Sequence, residues 1–246
     1  KAPTTAYSTP GGVHYVTGAA DGGQVAFLYP GQGSQYVGMG AEAAMAFDAA
    51  RQAWDEAANL PFGNERLHDV VFPRPVFTDA DRELQQQKLT ATEWAQPALG
   101  VHSQSLSNVL HQVGVRPSCV AGHSFGEVSA LHEAGALDAA ALVKVARKRG
   151  ELMRDASAVS GAMTAVAKSI DEVKAAVAAS GAQVVVANHN SPTQVVLSGS
   201  VEEITKVEAA LAAKGLTAKR LPVATAFHSP LVAGSSAPLR TFLEGV

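Results

Sequence analysis

Three features of this 246-residue chain have the makings of nucleophilic catalysis by a serine. The first is Gly122-His123-Ser124-Phe125-Gly126, a G-x-S-x-G placed between the strand-like Pro117-Ser118-Cys119-Val120-Ala121 and a helical run from Glu127 to Ala134. A serine in that context reads as a nucleophile elbow. The glycines permit a tight turn, the hydroxyl projects from it, and the dipole and free N–H groups of the helix start favour a developing oxyanion. The second feature is a base, which a serine hydroxyl needs. Of eight histidines, His102, His111 and His132 fall inside helical patterns and His189 in a polar turn. His123 adjoins Ser124, but neighbouring side chains on such a turn diverge. His228 follows a strand-like stretch 104 residues after Ser124, the Ser-then-His order of α/β-hydrolase-like sites. It is the favoured candidate, with His123 and His189 as alternatives. No acidic residue between Ser124 and His228 stands out as a third member. The third feature is Gly31-Gln32-Gly33-Ser34-Gln35, either a plain strand-ending turn or a loop that sets Gln32 beside the elbow as an amide donor. Tyr36 in place of a third glycine and the lack of a Lys-Ser/Thr pair exclude the nucleotide-phosphate fingerprints.

Composition bounds the rest. Lys+Arg 19 against Asp+Glu 22 gives a net charge of −3, which argues against nucleic acid as partner. The 47% hydrophobic and 17% charged content supplies a sizeable core and excludes global disorder. The single cysteine, Cys119, excludes an internal disulfide and a cysteine-based metal cluster, and fits a reducing cytoplasm. No apolar run approaches the ~18 residues that span a bilayer, so no membrane partner is expected. A lysine start without a signal peptide suggests a piece of something longer.

Elements must hold these residues in place. Lys1 to Gly23 reads as a linker or docking segment. Val25–Tyr29 is a short buried strand ended by Pro30-Gly31. Helices are expected over about 41–58 and 97–113, with an irregular proline-bearing stretch over 61–84. A further helix runs from Asp138, its cap, to about Arg154. On its apolar face, among Leu142, Val145, Ala146, Leu152 and Met153, sits Arg149, a cation that is costly there unless paired. Lys144, Arg147, Lys148 and Arg154 point elsewhere, either as a solvated charged face or as an attractor of acidic partners. From Gly161 the order becomes strand (163–167), helix from the capping box Ser169-Ile170-Asp171-Glu172, strands (183–187, 194–197), helix from the box Ser200-Val201-Glu202-Glu203, and strand (217–221). That β-α-β-β-α-β order is the ferredoxin-like unit. The expected fold class is α/β: an α/β-hydrolase-like large subdomain (24–160 and 223–246) with an inserted ferredoxin-like small subdomain (161–222), after an N-terminal linker (1–23).

Taken in order, Pro30-Gly31-Gln32-Gly33-Ser34-Gln35, Gly122-His123-Ser124-Phe125-Gly126-Glu127, Arg149-Gly150 with Met153, Gly161-Ala162-Met163, Asn188-His189-Asn190-Ser191-Pro192 and Ala226-Phe227-His228 resemble the malonyl-CoA:acyl-carrier-protein transacylase family, including acyltransferase domains of fatty-acid and iterative polyketide synthases. The resemblance covers about Val25 to Leu231. It implies that Ser124 is acylated with His228 as its base, and that Gln32 and the Phe125 N–H form an oxyanion hole. It puts Arg149 on the free carboxylate of malonate, and Asn188, Phe227 and His123 around the substrate. The family works with a Ser–His pair and no metal. No cofactor is bound; the substrates are malonyl-CoA and the phosphopantetheine thiol of an acyl carrier protein. The partners implied are that carrier and neighbouring synthase domains, with a ketosynthase upstream. Ala226-Phe227-His228 resembles the signature of malonyl-selective rather than methylmalonyl-selective members. Two departures stand out: Arg154 occupies a position where relatives often carry Gln, and the family runs several dozen residues past the position of Val246. The alternatives are a serine esterase or thioesterase, which shares the elbow but needs no carboxylate clamp, and a non-catalytic scaffold.

Overall fold

The computed structural model describes residues 6–16, 23–156, 160–223 and 225–246. Within the segment read as a linker, β1 (Tyr7–Ser8) and β2 (His14–Tyr15) form a small hairpin in which Tyr7 stacks on Tyr15; the expectation for 1–5 and 17–22 lies outside the described residues.

Two short parallel strands carry the site. β3 (Ala26–Tyr29) pairs with β4 (Cys119–Gly122), Tyr29 opposite Gly122, so the Gln32 loop and the Ser124 turn leave the sheet side by side. Alternation along β3 turns Phe27 and Tyr29 to one face. Phe27 stacks on His111, and the Tyr29 hydroxyl bonds Ser107 Oγ at 2.9 Å and Glu133 Oε2 at 3.0 Å. Burial, with Glu133 alongside, pushes the Tyr29 phenol up to about 12.

Helices α1 (Ala41–Ala46), α2 (Asp48–Ala58), α3 (Leu67–Val71), α4 (Asp79–Thr90) and α5 (Thr92–Gln112) follow β3. The stretch over 61–84 is thus more ordered than expected. Thr78 accepts from Asp81 N and opens α4 as an N-cap. α5 begins five residues before Pro97, where the sequence pattern starts it. Proline inside a helix removes the N–H that would bond the carbonyl four residues back. Here that carbonyl is Glu93 O, and Arg147 supplies the missing donor at 3.0 Å.

α6 (Gly126–Glu133) follows the Ser124 turn, and α7 (Ala139–Asp155) lies against α5. Asp138 caps α7 through Ala141 N, as read from the sequence. The core between these helices centres on Trp54, Trp94, Leu99, Phe125, Val143 and Ala146.

β5 (Gly161–Val166), α8 (Ile170–Ser180), β6 (Val185–Ser191), β7 (Gln194–Ser200), α9 (Val201–Ala213) and β8 (Ala218–Arg220) then build an antiparallel sheet of order β6-β7-β5-β8. This is the ferredoxin-like arrangement, with α8 and α9 packing Val173, Ile204, Val207 and Leu211 on Val166, Val195 and Leu197. The Ser169 capping box is complete. At Ser200 only half forms, because the Glu203 carboxylate turns away to Gln183 N. Asn188, His189 and Asn190 lie within β6, where register shifts bend the strand, rather than in the expected turn. A 3₁₀ segment, Pro230–Ser235, and α10 (Ser236–Leu243) close the described chain. No helix is long and apolar enough to cross a membrane among the described residues.

Candidate active site

The Ser124 turn is as tight as backbone contact allows. A Cβ on Gly122 would lie 2.0 Å from Gly126 C, and one on Gly126 would lie 2.0 Å from Tyr29 O, so neither position accepts a side chain. Ser124 itself sits at φ 53°, a left-handed backbone that costs a non-glycine residue about 1–3 kcal/mol and is found where surroundings over-determine it. Phe125, fully buried beneath, anchors the turn in the core.

The strained turn delivers Ser124 Oγ to 2.8 Å from His228 Nε2. Neither His123 nor His189 holds that place. His123 Nε2 instead meets Asn190 Oδ1 at 3.0 Å, and the Asn190 amide donates to Gln194 Oε1 at 3.1 Å, which fixes Asn190 as the acceptor. His228 also lies at positive φ, 56°. Desolvation, the nearby Arg149 cation and His123 lower the pKa of its imidazolium below the ordinary value, with Glu127 opposing. The neutral ring is thereby favoured, the form that accepts a proton. No carboxylate among the described residues bonds either nitrogen of this ring.

Around the pair closes a cavity of about 210 Å³. All eight residues singled out from the sequence line it: Gln32, His123, Ser124, Phe125, Arg149, Asn188, Phe227 and His228. The Phe125 N–H donates to no group among the described residues, as an oxyanion donor should. Phe227, with Met153, Met163, Val196 and Val232, forms an apolar wall.

Arg149 is half-buried, and its NH1 donates to Gln96 Oε1 at 2.8 Å. Burial lowers its pKa, and Glu127 opposes that shift. No carboxylate of the protein pairs with it among the described residues, so the guanidinium keeps donors free for an anion.

Of the other α7 cations, read from the sequence as a solvated charged face or an attractor of acidic partners, Arg147 and Arg154 are already engaged by carboxylates. Arg147 bonds Glu151 and the Glu93 carbonyl and lies over the Trp94 ring at 4.6 Å. Arg154 bonds Glu93 Oε1 at 2.9 Å and Asp155 Oδ1 at 2.8 Å, on the rim of an adjoining groove that Phe227 also lines.

Two polar residues of the cavity were not among those singled out from the sequence. Asn190 sits two positions from Asn188 on β6, and both line the cavity, as residues two apart on a strand share a face. Gln96 is 1% exposed in a stretch otherwise apolar from Trp94 to Val101. Its spacing of four from Thr92, one helical turn, was the available signal.

The family model described as acyl transferase domain matches residues 26–244. Malonyl CoA-acyl carrier protein transacylase of Bacillus subtilis is 37% identical over 228 residues, covering 90% of this chain and 68% of that protein. Polyketide synthase GfsA of Streptomyces halstedii is 37% identical over 220 residues, 87% of this chain; the chain spans only 3% of that synthase. Among solved structures, a type II polyketide synthase acyl-carrier protein in complex with its malonyl-transacylase superposes with a TM-score of 0.80 at 33% identity, covering 91% of this chain and 71% of that one.

Proposed function

The chain belongs to the acyl transferase domain family, and from that premise we propose that it moves a malonyl group from malonyl-CoA to the phosphopantetheine thiol of an acyl carrier protein through an acyl-enzyme on Ser124. The observation that carries the proposal is the 2.8 Å Ser124–His228 pair facing an unpaired, half-buried Arg149 within one cavity.

In the first half-reaction Ser124 Oγ attacks the thioester carbonyl as its proton passes to His228 Nε2. The oxyanion so formed is received by the Phe125 N–H and the Gln32 carboxamide. Collapse breaks the C–S bond, and the departing CoA thiolate takes the proton from His228. In the second half the carrier thiol gives its proton to His228 and attacks the malonyl ester, and Ser124 leaves with that proton. His228 thus ends each half as it began.

Arg149 pairs with the free malonyl carboxylate, since a planar fork meets a carboxylate with two parallel hydrogen bonds. This need for an anionic acyl end favours the transferase reading over an esterase. The type II acyl-carrier protein in the neighbouring complex supports a carrier protein as acceptor, and the long synthase relatives support adjacent synthase domains, including a ketosynthase, as partners.

Intact-mass measurement after incubation with malonyl-CoA tests the proposal. One malonyl unit is expected on the wild type and none on Ser124→Ala. A label that persists in Ser124→Ala overturns it.

A further inference from the structure

Between Arg149 and Gln32 runs a chain of hydrogen bonds whose direction is fixed at one end. A guanidinium only donates, so Gln96 must turn its oxygen toward Arg149 NH1, at 2.8 Å. The Gln96 Nε2 then faces Thr92 Oγ1, also at 2.8 Å, and donates to it. The Thr92 proton is left to reach Gln32 Oε1, again at 2.8 Å. Gln96 is 1% exposed and Thr92 6%, so water does not compete for these bonds. With its oxygen held, Gln32 turns Nε2 away from the relay, where among the described residues it makes one long contact, 3.4 Å to the Thr90 carbonyl. A carboxamide flipped the other way would aim an acceptor at a developing negative charge.

We propose that Thr92 is a positioning residue: through it the fixed donor character of Arg149, relayed by Gln96, sets the Gln32 carboxamide with its N–H groups toward the reacting oxygen. This rests on the reading of Gln32 as an oxyanion donor. The substrate-carboxylate binder and the oxyanion donor are then one hydrogen-bonded unit. Because the relay uses a single N–H of Arg149, the other guanidinium donors remain for the malonyl carboxylate.

Thr92→Val removes the hydroxyl and keeps the branched shape; Thr92→Ser keeps the hydroxyl. In single-turnover acylation of the full chain, Thr92→Val is expected to slow malonyl-CoA and acetyl-CoA by a similar factor of roughly 10 to 100. That is less than the about 10²–10³ lost when an oxyanion donor is removed outright. Thr92→Ser should recover most of the rate. Gln96→Leu, which cuts the relay beside Arg149, should slow malonyl-CoA more than acetyl-CoA. In a Gln32→Ala background Thr92→Val should add less than about twofold, because the group it orients is gone.

A second readout is independent of turnover: the Gln32 side-chain amide resonances should shift in Thr92→Val and return in Thr92→Ser. An unmoved Gln32 signal overturns the relay. So does a Thr92→Val effect that is equally large in the Gln32→Ala background. A wild-type acylation rate in Gln32→Ala overturns instead the oxyanion role of Gln32, while the resonance shift still reports on the relay itself.

Discussion

Ser124 and His228, whose side chains meet at 2.8 Å, share a backbone state: at φ 53° and 56° they are the two non-glycine residues of the described chain held at positive φ. Each such residue costs about 1–3 kcal/mol, so both turns must be secured by their surroundings. The Ser124 turn is secured by the backbone approaches at Gly122 and Gly126 and by the buried Phe125 ring. The His228 turn is secured by Ser229 Oγ, which donates to Ala226 O at 2.6 Å, and by Phe227 in the apolar wall. Strain at both partners of one hydrogen bond is the mark of a pair positioned in advance of its substrate.

Removing the base while keeping the turn tests that positioning. His228→Ala should slow acylation of Ser124 by about 10²–10⁴-fold, the usual cost of losing a placed proton acceptor. Its circular dichroism and melting curve should stay close to those of the wild type. An undiminished acylation rate in the folded variant would pass the role to another histidine, His123 or His189.

The pH dependence has a sign that neighbouring charges control. In the proposed mechanism acylation needs neutral His228, and burial together with Arg149 holds the pKa of this ring below its ordinary value near 6.5. The acid limb of kcat/KM should therefore fall below that pH. Arg149→Met removes a cation that disfavours the imidazolium, so with acetyl-CoA as donor the limb should move to higher pH. Glu127→Gln removes the group that opposes the lowering, so the limb should move to lower pH. Shifts of the same sign in both variants would show that these charges do not act on the titrating base.

How far the sequence reveals this site depends on the range of the interactions involved. The elbow, the Asp138 cap, the Ser169 capping box and the β-α-β-β-α-β order are local patterns, each set by residues within a few positions, and all were legible. Six ordered motifs sufficed for the family, which the match over residues 26–244 bears out. The start of α5 was misjudged because a proline normally ends or opens a helix, whereas here a donor from α7, 54 positions away, repairs its missing bond. Gln96 and Thr92 were missed for the same reason, since their partners Arg149 and Gln32 lie 53 and 60 positions away. The α4 start at Thr78 was legible in principle from a Thr followed by acidic residues, but the nearby prolines masked it.

Packing of α7 on α5 sets the position of Arg149, and Gly150 is where that packing is closest. A Cβ there would lie 2.5 Å from Thr92 O and 2.6 Å from Glu93 Cα, both backbone atoms that cannot rotate away. In an open helix Gly→Ala is stabilising by about 0.8–1 kcal/mol. Here the helices must part, and overpacking of this kind costs about 1–3 kcal/mol. Gly150→Ala should lower Tm by roughly 2–12 °C at about 2–4 °C per kcal/mol for a chain of this size. A raised Tm would show that α7 shifts freely.

Under the proposed function, acyl selectivity separates two residues of the cavity, Arg149 and Phe227, that act on different features of the substrate. Without Arg149, a malonyl carboxylate entering the cavity loses its water and gains no partner, and an unpaired charge in such a site is heavily disfavoured. Acetyl-CoA brings no carboxylate and loses nothing of that kind. Arg149→Ala should therefore depress malonyl transfer severely while sparing, or relatively favouring, acetyl transfer. Phe227 acts on shape. Phe227 is 9% exposed and packs with Met153, Met163 and Val196; under the proposed function its ring takes up the space an α-methyl branch would need. Overpacking at such a wall costs about 1–3 kcal/mol, which corresponds to roughly ten- to hundredfold discrimination against methylmalonyl-CoA. Phe227→Ser should admit methylmalonyl-CoA and keep the preference for a carboxylate. Competition between malonyl-, methylmalonyl- and acetyl-CoA, read by intact mass on both variants, distinguishes the two effects. Equal loss of malonyl and acetyl transfer in Arg149→Ala would make Arg149 a structural residue that merely holds Gln96. An unchanged malonyl-to-methylmalonyl ratio in Phe227→Ser would move the steric limit to another part of the wall.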